Sequence, residues 1–116
     1  MGDNRQINFG GLWFYTHWNG WQLGIKLRDA IKVAKPRWDD APYCFRIILG
    51  ELLKEYVGKE TGAGLDFNYQ ESDYKNRDFQ VDIKSNSLLI TEPDGGPFLW
   101  SFSQFIELSD EEVLKI

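Results

Sequence analysis

Between residues 22 and 57 the apolar positions recur with a helical period twice, and only a short break around Pro36 separates the two runs. In the first, Leu23, Leu27, Ala30, Ile31 and Ala34 share one face, with Lys26, Asp29 and Lys32 opposite. Pro36 ends that run and biases Lys35 away from helical backbone. Asp39 or Asp40 then offers a cap to a second run that carries Pro42 in its first turn. This second run is the most apolar in the chain. Its polar stripe is narrow (Arg46, Gly50, Glu51, Lys54, Glu55), so it is expected to lie centrally, to reach about Val57, and to be closed by Gly58. Two helices joined by so few residues make an antiparallel hairpin, and the rest of the fold has to be built around it.

The flanks read as strands. Phe9 to Tyr15 is predicted as a first strand, with Gly10 and Gly11 at its start marking a bulge or an edge, and residues 17–20 as a turn. After the hairpin, Leu65 to Gln70, Phe79 to Lys84 and Leu88 to Thr91 are short β-like segments. Turn chemistry separates them at Asp73 to Asp78 and Ser85 to Ser87, and Asp94-Gly95-Gly96-Pro97 is a further turn. Phe98, Trp100 and Phe102 alternate as in another strand, and Ser109 with Glu112 forms a capping box that opens a short last helix. The predicted class is α+β: an N-terminal strand, an antiparallel helical hairpin, then an antiparallel β-meander with a short C-terminal helix. At 116 residues this is expected to be one domain spanning 1–116.

Charge and composition narrow the function. The net charge of −5 argues against general nucleic-acid binding. Residues 26–38 depart from that average: Lys26, Arg28, Lys32, Lys35 and Arg37 face Asp29 alone, a local balance of +4 that leaves −9 on the rest. Such an island suits a small anion such as a nucleotide phosphate; the plainer alternative is a solvated helix face. The lone Cys44 makes no internal disulfide, and the chain shows no zinc-ligand set and no cofactor fingerprint. With no apolar run near the length of a membrane span and no signal-peptide core, the expected location is cytoplasmic, with no membrane partner.

Three polar clusters lie at element ends, where loops place functional groups on a rigid frame. The first holds Tyr15, His17, Trp18 and Asn19; the second Arg37, Trp38 and Asp39, with Tyr43 and Arg46 one and two turns onward; the third Glu60 and Thr61. His17, the sole histidine, is either a general base or phosphate donor, or a structural residue bonded to a carbonyl. Arg37 and Arg46 offer planar forks for phosphate or carboxylate, or else pair with Asp39, Asp40 or Glu60. Trp18 and Trp38 either stack on a base or pack in the core. The glycines of Glu60-Thr61-Gly62-Ala63-Gly64 lack phosphate-loop spacing and are read as turn residues with positive φ.

In order along the chain, Tyr-Thr-His-Trp-Asn-Gly (15–20), Arg-Trp-Asp-Asp (37–40), Tyr43, Arg46-Ile47-Ile48 and Glu60-Thr61-Gly62 resemble a set of small phage and prophage proteins of unknown function. The likeness covers about residues 13–85. It departs at Asn19, where the set more often has Gly, and at Trp21, where it has Tyr. The resemblance implies a phage product acting in the host cytoplasm. Some small phage proteins counter host defence by sequestering nucleotide signals in pockets of aromatics and arginines. Three functions are therefore in play. One is a binding protein for an anionic nucleotide-like ligand, the next an inhibitor of a host protein, and the last a small hydrolase or nucleotide-modifying enzyme using His17. A chain this small has little concave surface, so a homo-oligomer is expected.

Overall fold

A computed structural model of the chain describes residues 5–16, 22–67, 78–91 and 98–116. The chain opens with two strands, β1 (Arg5–Asn8) and β2 (Trp13–Thr16), joined by a tight turn. Gly10 and Gly11 sit there at φ +77° and +122°, where side chains with a Cβ are strained. The Phe9 N–H donates to the Leu12 carbonyl at 2.8 Å, and the Gly11 N–H to Asn8 Oδ1 at 2.7 Å. The glycine pair thus makes a hairpin turn, where the sequence suggested a bulge or an edge at the start of one strand. Arg-Gln-Ile-Asn shows a single strong apolar residue, Ile7, which is why β1 escapes a pattern search.

Helices α1 (Leu23–Val33) and α2 (Ala41–Leu53) form the expected hairpin, linked through a 3-10 turn at Lys35–Arg37. A second 3-10 turn, Lys54–Tyr56, tightens the end of α2. Then come β3 (Ala63–Asp66), β4 (Asp78–Asp82), β5 (Ser87–Thr91) and β6 (Phe98–Ser101), followed by α3 (Phe102–Phe105) and α4 (Asp110–Leu114). The turn expected at 94–97 lies outside the described residues, as do 68–70 of the expected third strand.

The strands make one sheet in the order β3-β2-β1-β4-β5-β6. The antiparallel meander is β4-β5-β6, whereas β3 joins the other edge beside β2. Between the two antiparallel halves β1 runs parallel to β4, with Ile7 opposite Phe79 and Asn8 opposite Gln80. Alternation along the strands sends Ile7, Phe14, Phe79, Val81, Leu88 and Ile90 to one face. There they form a single core with Leu23, Leu27 and Ile31 of α1, Cys44, Ile48 and Leu52 of α2, and Phe102 and Phe105 of α3.

Two capping boxes close the chain. Ser109 Oγ accepts from the Glu112 N–H at 3.2 Å, and Glu112 Oε1 from the Ser109 N–H at 3.0 Å. A matching pair, Ser101 with Gln104, opens α3. Phe102, expected as a strand position, therefore begins a helical turn and drops into the core. Among the described residues no helix is long and apolar enough to cross a membrane.

Candidate functional site

Arg37 leaves the 3-10 turn, and Tyr43 and Arg46 stand three residues apart on α2, so all three meet on one face. The guanidinium carbons of Arg37 and Arg46 lie 5.4 and 5.9 Å from the centre of the Tyr43 ring, within cation–π range. All three residues are exposed, Tyr43 to 53%. Neither arginine pairs with a carboxylate among the described residues. Asp40 occupies the N-cap of α2 with no side-chain cap bond; its carbonyl accepts from the Cys44 N–H at 2.8 Å. Asp39 is exposed beside it.

The rest of the basic island is largely committed to the frame. Lys26 pairs with Glu55 and stands 5.8 Å from the Tyr56 ring centre. Arg28, with its side chain only 12% exposed, ties α1 to α4. It reaches Asp110 at 2.6 Å, Asp29 at 2.9 Å and the Leu108 carbonyl at 3.0 Å. Burial opposes its charge, but hydrogen bonds to Asp110 and Asp29 outweigh that and raise its pKa above the ordinary value. Lys32 and Lys35 remain exposed, Lys35 near the Trp38 ring.

Trp38 itself is a strut. Its Nε1 donates to the Ile31 carbonyl at 3.0 Å, its carbonyl accepts from Asn86 Nδ2 at 2.9 Å, and its ring meets Phe102 edge-on at 5.5 Å. The remaining expected residues disperse. Glu60 and Thr61 line a polar hollow of about 480 Å³ with Lys26, Tyr56 and Lys59. That hollow follows the far end of α2, and a helix of 13 residues puts roughly 20 Å between the two sites. Tyr15 points to the sheet face opposite the helices and lines neither hollow. It lies over Gly64, where an added Cβ would come 2.4 Å from its hydroxyl. Gly64 thus leaves room for a ring, while Gly62 alone in that loop takes positive φ, +109°. His17, Trp18 and Asn19 lie outside the described residues. Cys44 is fully buried, and burial pushes its thiol pKa up, away from nucleophilic use.

A larger hollow of about 740 Å³ was not foreseen. Phe9, Pro42 and Phe45 form one side, the two rings packed 5.1 Å apart. Asn8, Gln80 and Asp82 contribute from β1 and β4, and Leu89 and Leu99 from β5 and β6. Its volume falls in the ordinary range for small-molecule sites. It opens at the carboxyl ends of the parallel pair β1/β4, where the 9–12 turn leaves toward β2 and the 83–86 turn toward β5. Open sheets bind ligands in this kind of crevice, because the chain diverges there. Only the register of β1 against β4 brings these residues together, and no local pattern announces that. Among the described residues no cluster of His, Cys, Asp or Glu could hold a metal ion.

No family model, curated protein or solved structure matches this chain.

Proposed function

We propose that this chain is a small binding protein for an anionic, nucleotide-like molecule held by Arg37 and Arg46 about the Tyr43 ring. One observation carries the reading. Two guanidinium groups flank the same exposed ring and neither is neutralised by a carboxylate among the described residues. Each fork is free to take a phosphate or carboxylate in two-point contact, and both stand beside the same ring. The likeness in short strings to small phage proteins supplies a setting, a sponge that removes a nucleotide signal in the host cytoplasm.

A second reading has its own support. Tyr43 is 53% exposed, and tyrosine between arginines is the composition of an interface hot spot, here for an acidic segment of a host protein.

Titration calorimetry against linear and cyclic nucleotides at low salt separates the two. Binding is expected to weaken about tenfold in Arg37→Ala and in Arg46→Ala, the loss of one charge-assisted contact, and to fall with added salt. Absence of any nucleotide binding at millimolar concentration, with a stoichiometric protein captured from host lysate through the same two arginines, would move the assignment to the second reading.

A further inference from the structure

We infer that the 740 Å³ hollow at the carboxyl ends of β1 and β4 is a nucleobase site that prefers purines, the companion to the anion site on α2. The inference rests on the reading of Arg37 and Arg46 as phosphate ligands, and names what the other end of that ligand is.

The wall of the hollow comes from strand register. Asn8 pairs with Gln80, Gln80 with Leu89, and Leu89 with Leu99, so these four side chains form one row across β1, β4, β5 and β6 on the face away from the helices. One row further toward the strand end, Asp82 pairs with Ser87. Both of these also line the hollow. The polar atoms are of mixed sign. Asn8 Oδ1 is used by the Gly11 N–H, which orients the amide and leaves Nδ2 to donate. One Asp82 oxygen takes the Ser85 N–H at 3.2 Å, leaving the other to accept. The Gln80 carboxamide is exposed and able to donate and accept side by side.

The Phe9 and Phe45 rings and Pro42 line the hollow from the helix side, where it rounds the end of the sheet. A guest must therefore offer apolar surface to the helix side, yet carry adjacent donors and acceptors toward the strand row. A nucleobase meets both demands. An acyl chain would leave the amides and the charges of Asp82 and Lys84 unpaired, which is costly, and an inorganic anion could meet Lys84 but would also face Asp82 and leave the apolar side unfilled. A purine covers more of the apolar side than a pyrimidine, and carboxamides are the side chains that pair two-point with adenine.

The two sites are also neighbours along α2. Arg46 follows Pro42, which lines the hollow, by four residues and so stands on the same side of the helix. A ribose would link a base in the hollow to a phosphate beside Arg46.

Calorimetry with the full chain, using adenosine, guanosine, cytidine, uridine, inorganic pyrophosphate and the corresponding nucleotides, tests this. Purine nucleosides are expected to bind more tightly than pyrimidine nucleosides. Gln80→Leu, an exposed change that keeps bulk, should weaken purine nucleosides and nucleotides about tenfold and leave pyrophosphate unaffected. Leu99→Glu, at a position 71% exposed, should weaken every nucleoside by placing a carboxylate at the rim. Circular dichroism confirms that both variants fold. Nucleotide binding that depends on Arg37 and Arg46 but ignores Gln80→Leu and Leu99→Glu overturns the base site and leaves the anion reading standing. Nucleoside binding lost in Gln80→Leu with no effect of either arginine does the reverse. Pyrimidines equal to purines sink the stated preference, and no binding of any probe sinks both.

Discussion

Replacing Trp38 separates a frame residue from a ligand-stacking one. The ring contributes an edge-on contact with Phe102 at 5.5 Å and an indole N–H bonded to the Ile31 carbonyl at 3.0 Å. The first is worth about 1 kcal/mol beyond area and the second about 1 kcal/mol net. Trp38→Ala removes both together with the buried part of a large ring. Trp-to-Ala changes in cores cost about 3–5 kcal/mol, and since Trp38 is only half-buried, about 3 kcal/mol is the expected loss. Trp38→Phe keeps a ring against Phe102 and forfeits the hydrogen bond, about 1–1.5 kcal/mol. For a chain of this size each kcal/mol moves Tm by about 4 °C, so Ala should lower it by about 12 °C and Phe by about 5 °C. Thermal unfolding followed by circular dichroism gives both values. Nucleotide affinity of Trp38→Phe at a temperature well below Tm should match that of the parent chain. A Phe variant with unchanged Tm and lost affinity would refute the structural assignment and restore the ring to the ligand.

Three further outcomes follow from geometry. Thr16 is 3% exposed and its Oγ1 has no hydrogen-bond partner among the described residues, so Thr16→Val should stabilise the fold by about 1 kcal/mol in urea unfolding. At Gly24 an added Cβ would meet Val113 at 2.8 Å and Phe79 at 3.3 Å. Gly24→Ala should therefore cost about 1–2 kcal/mol, overpacking outweighing the gain in helix propensity, and an increase in stability would contradict the packing of α1 between the sheet and α4. The Ser109 backbone N–H, then its hydroxyl, hold the Glu112 carboxyl below its ordinary 4.5. A depressed folded value means the ionised form supports the cap. That support is present above 4.5 and lost as pH falls through the lower folded value, so amide exchange in residues 110–114 should accelerate in that acid window and Ser109→Ala should bring the carboxyl back toward 4.5.

What could be read from the residues alone follows the range of the interactions involved. The helical hairpin was legible because its apolar period, Pro36 and Pro42 are local. The Ser109–Glu112 box was legible for the same reason, and Ser101 with Gln104 carried an equal signal that the Phe98-Trp100-Phe102 alternation masked. The parallel pairing of β1 with β4 was not, since it joins residues 6–8 to 78–80 and leaves no trace in either segment. Site residues divide the same way. Arg37, Tyr43 and Arg46 sit within ten residues along one helix and its lead-in, so their meeting was foreseeable. Glu60 and Thr61 form a separate cluster at an element end in the sequence, and the length of α2 carries them away from the arginines. Asn8 and Gln80 went unremarked because an amide in a strand gains meaning only from the strand beside it.

The junction of β1 with β4 also dictates a sequence of events during synthesis. The N-terminal hairpin has its second neighbour only once residues 78–82 of 116 have been made, and until then one side of β1 lies bare. The helical hairpin, whose contacts are near in sequence, can assemble early, while the sheet waits on a loop closure of some seventy residues. A ribosome paused anywhere before that point holds a chain with helices in place and an unfinished strand edge, the state in which chaperone capture or wrong pairing has its opportunity.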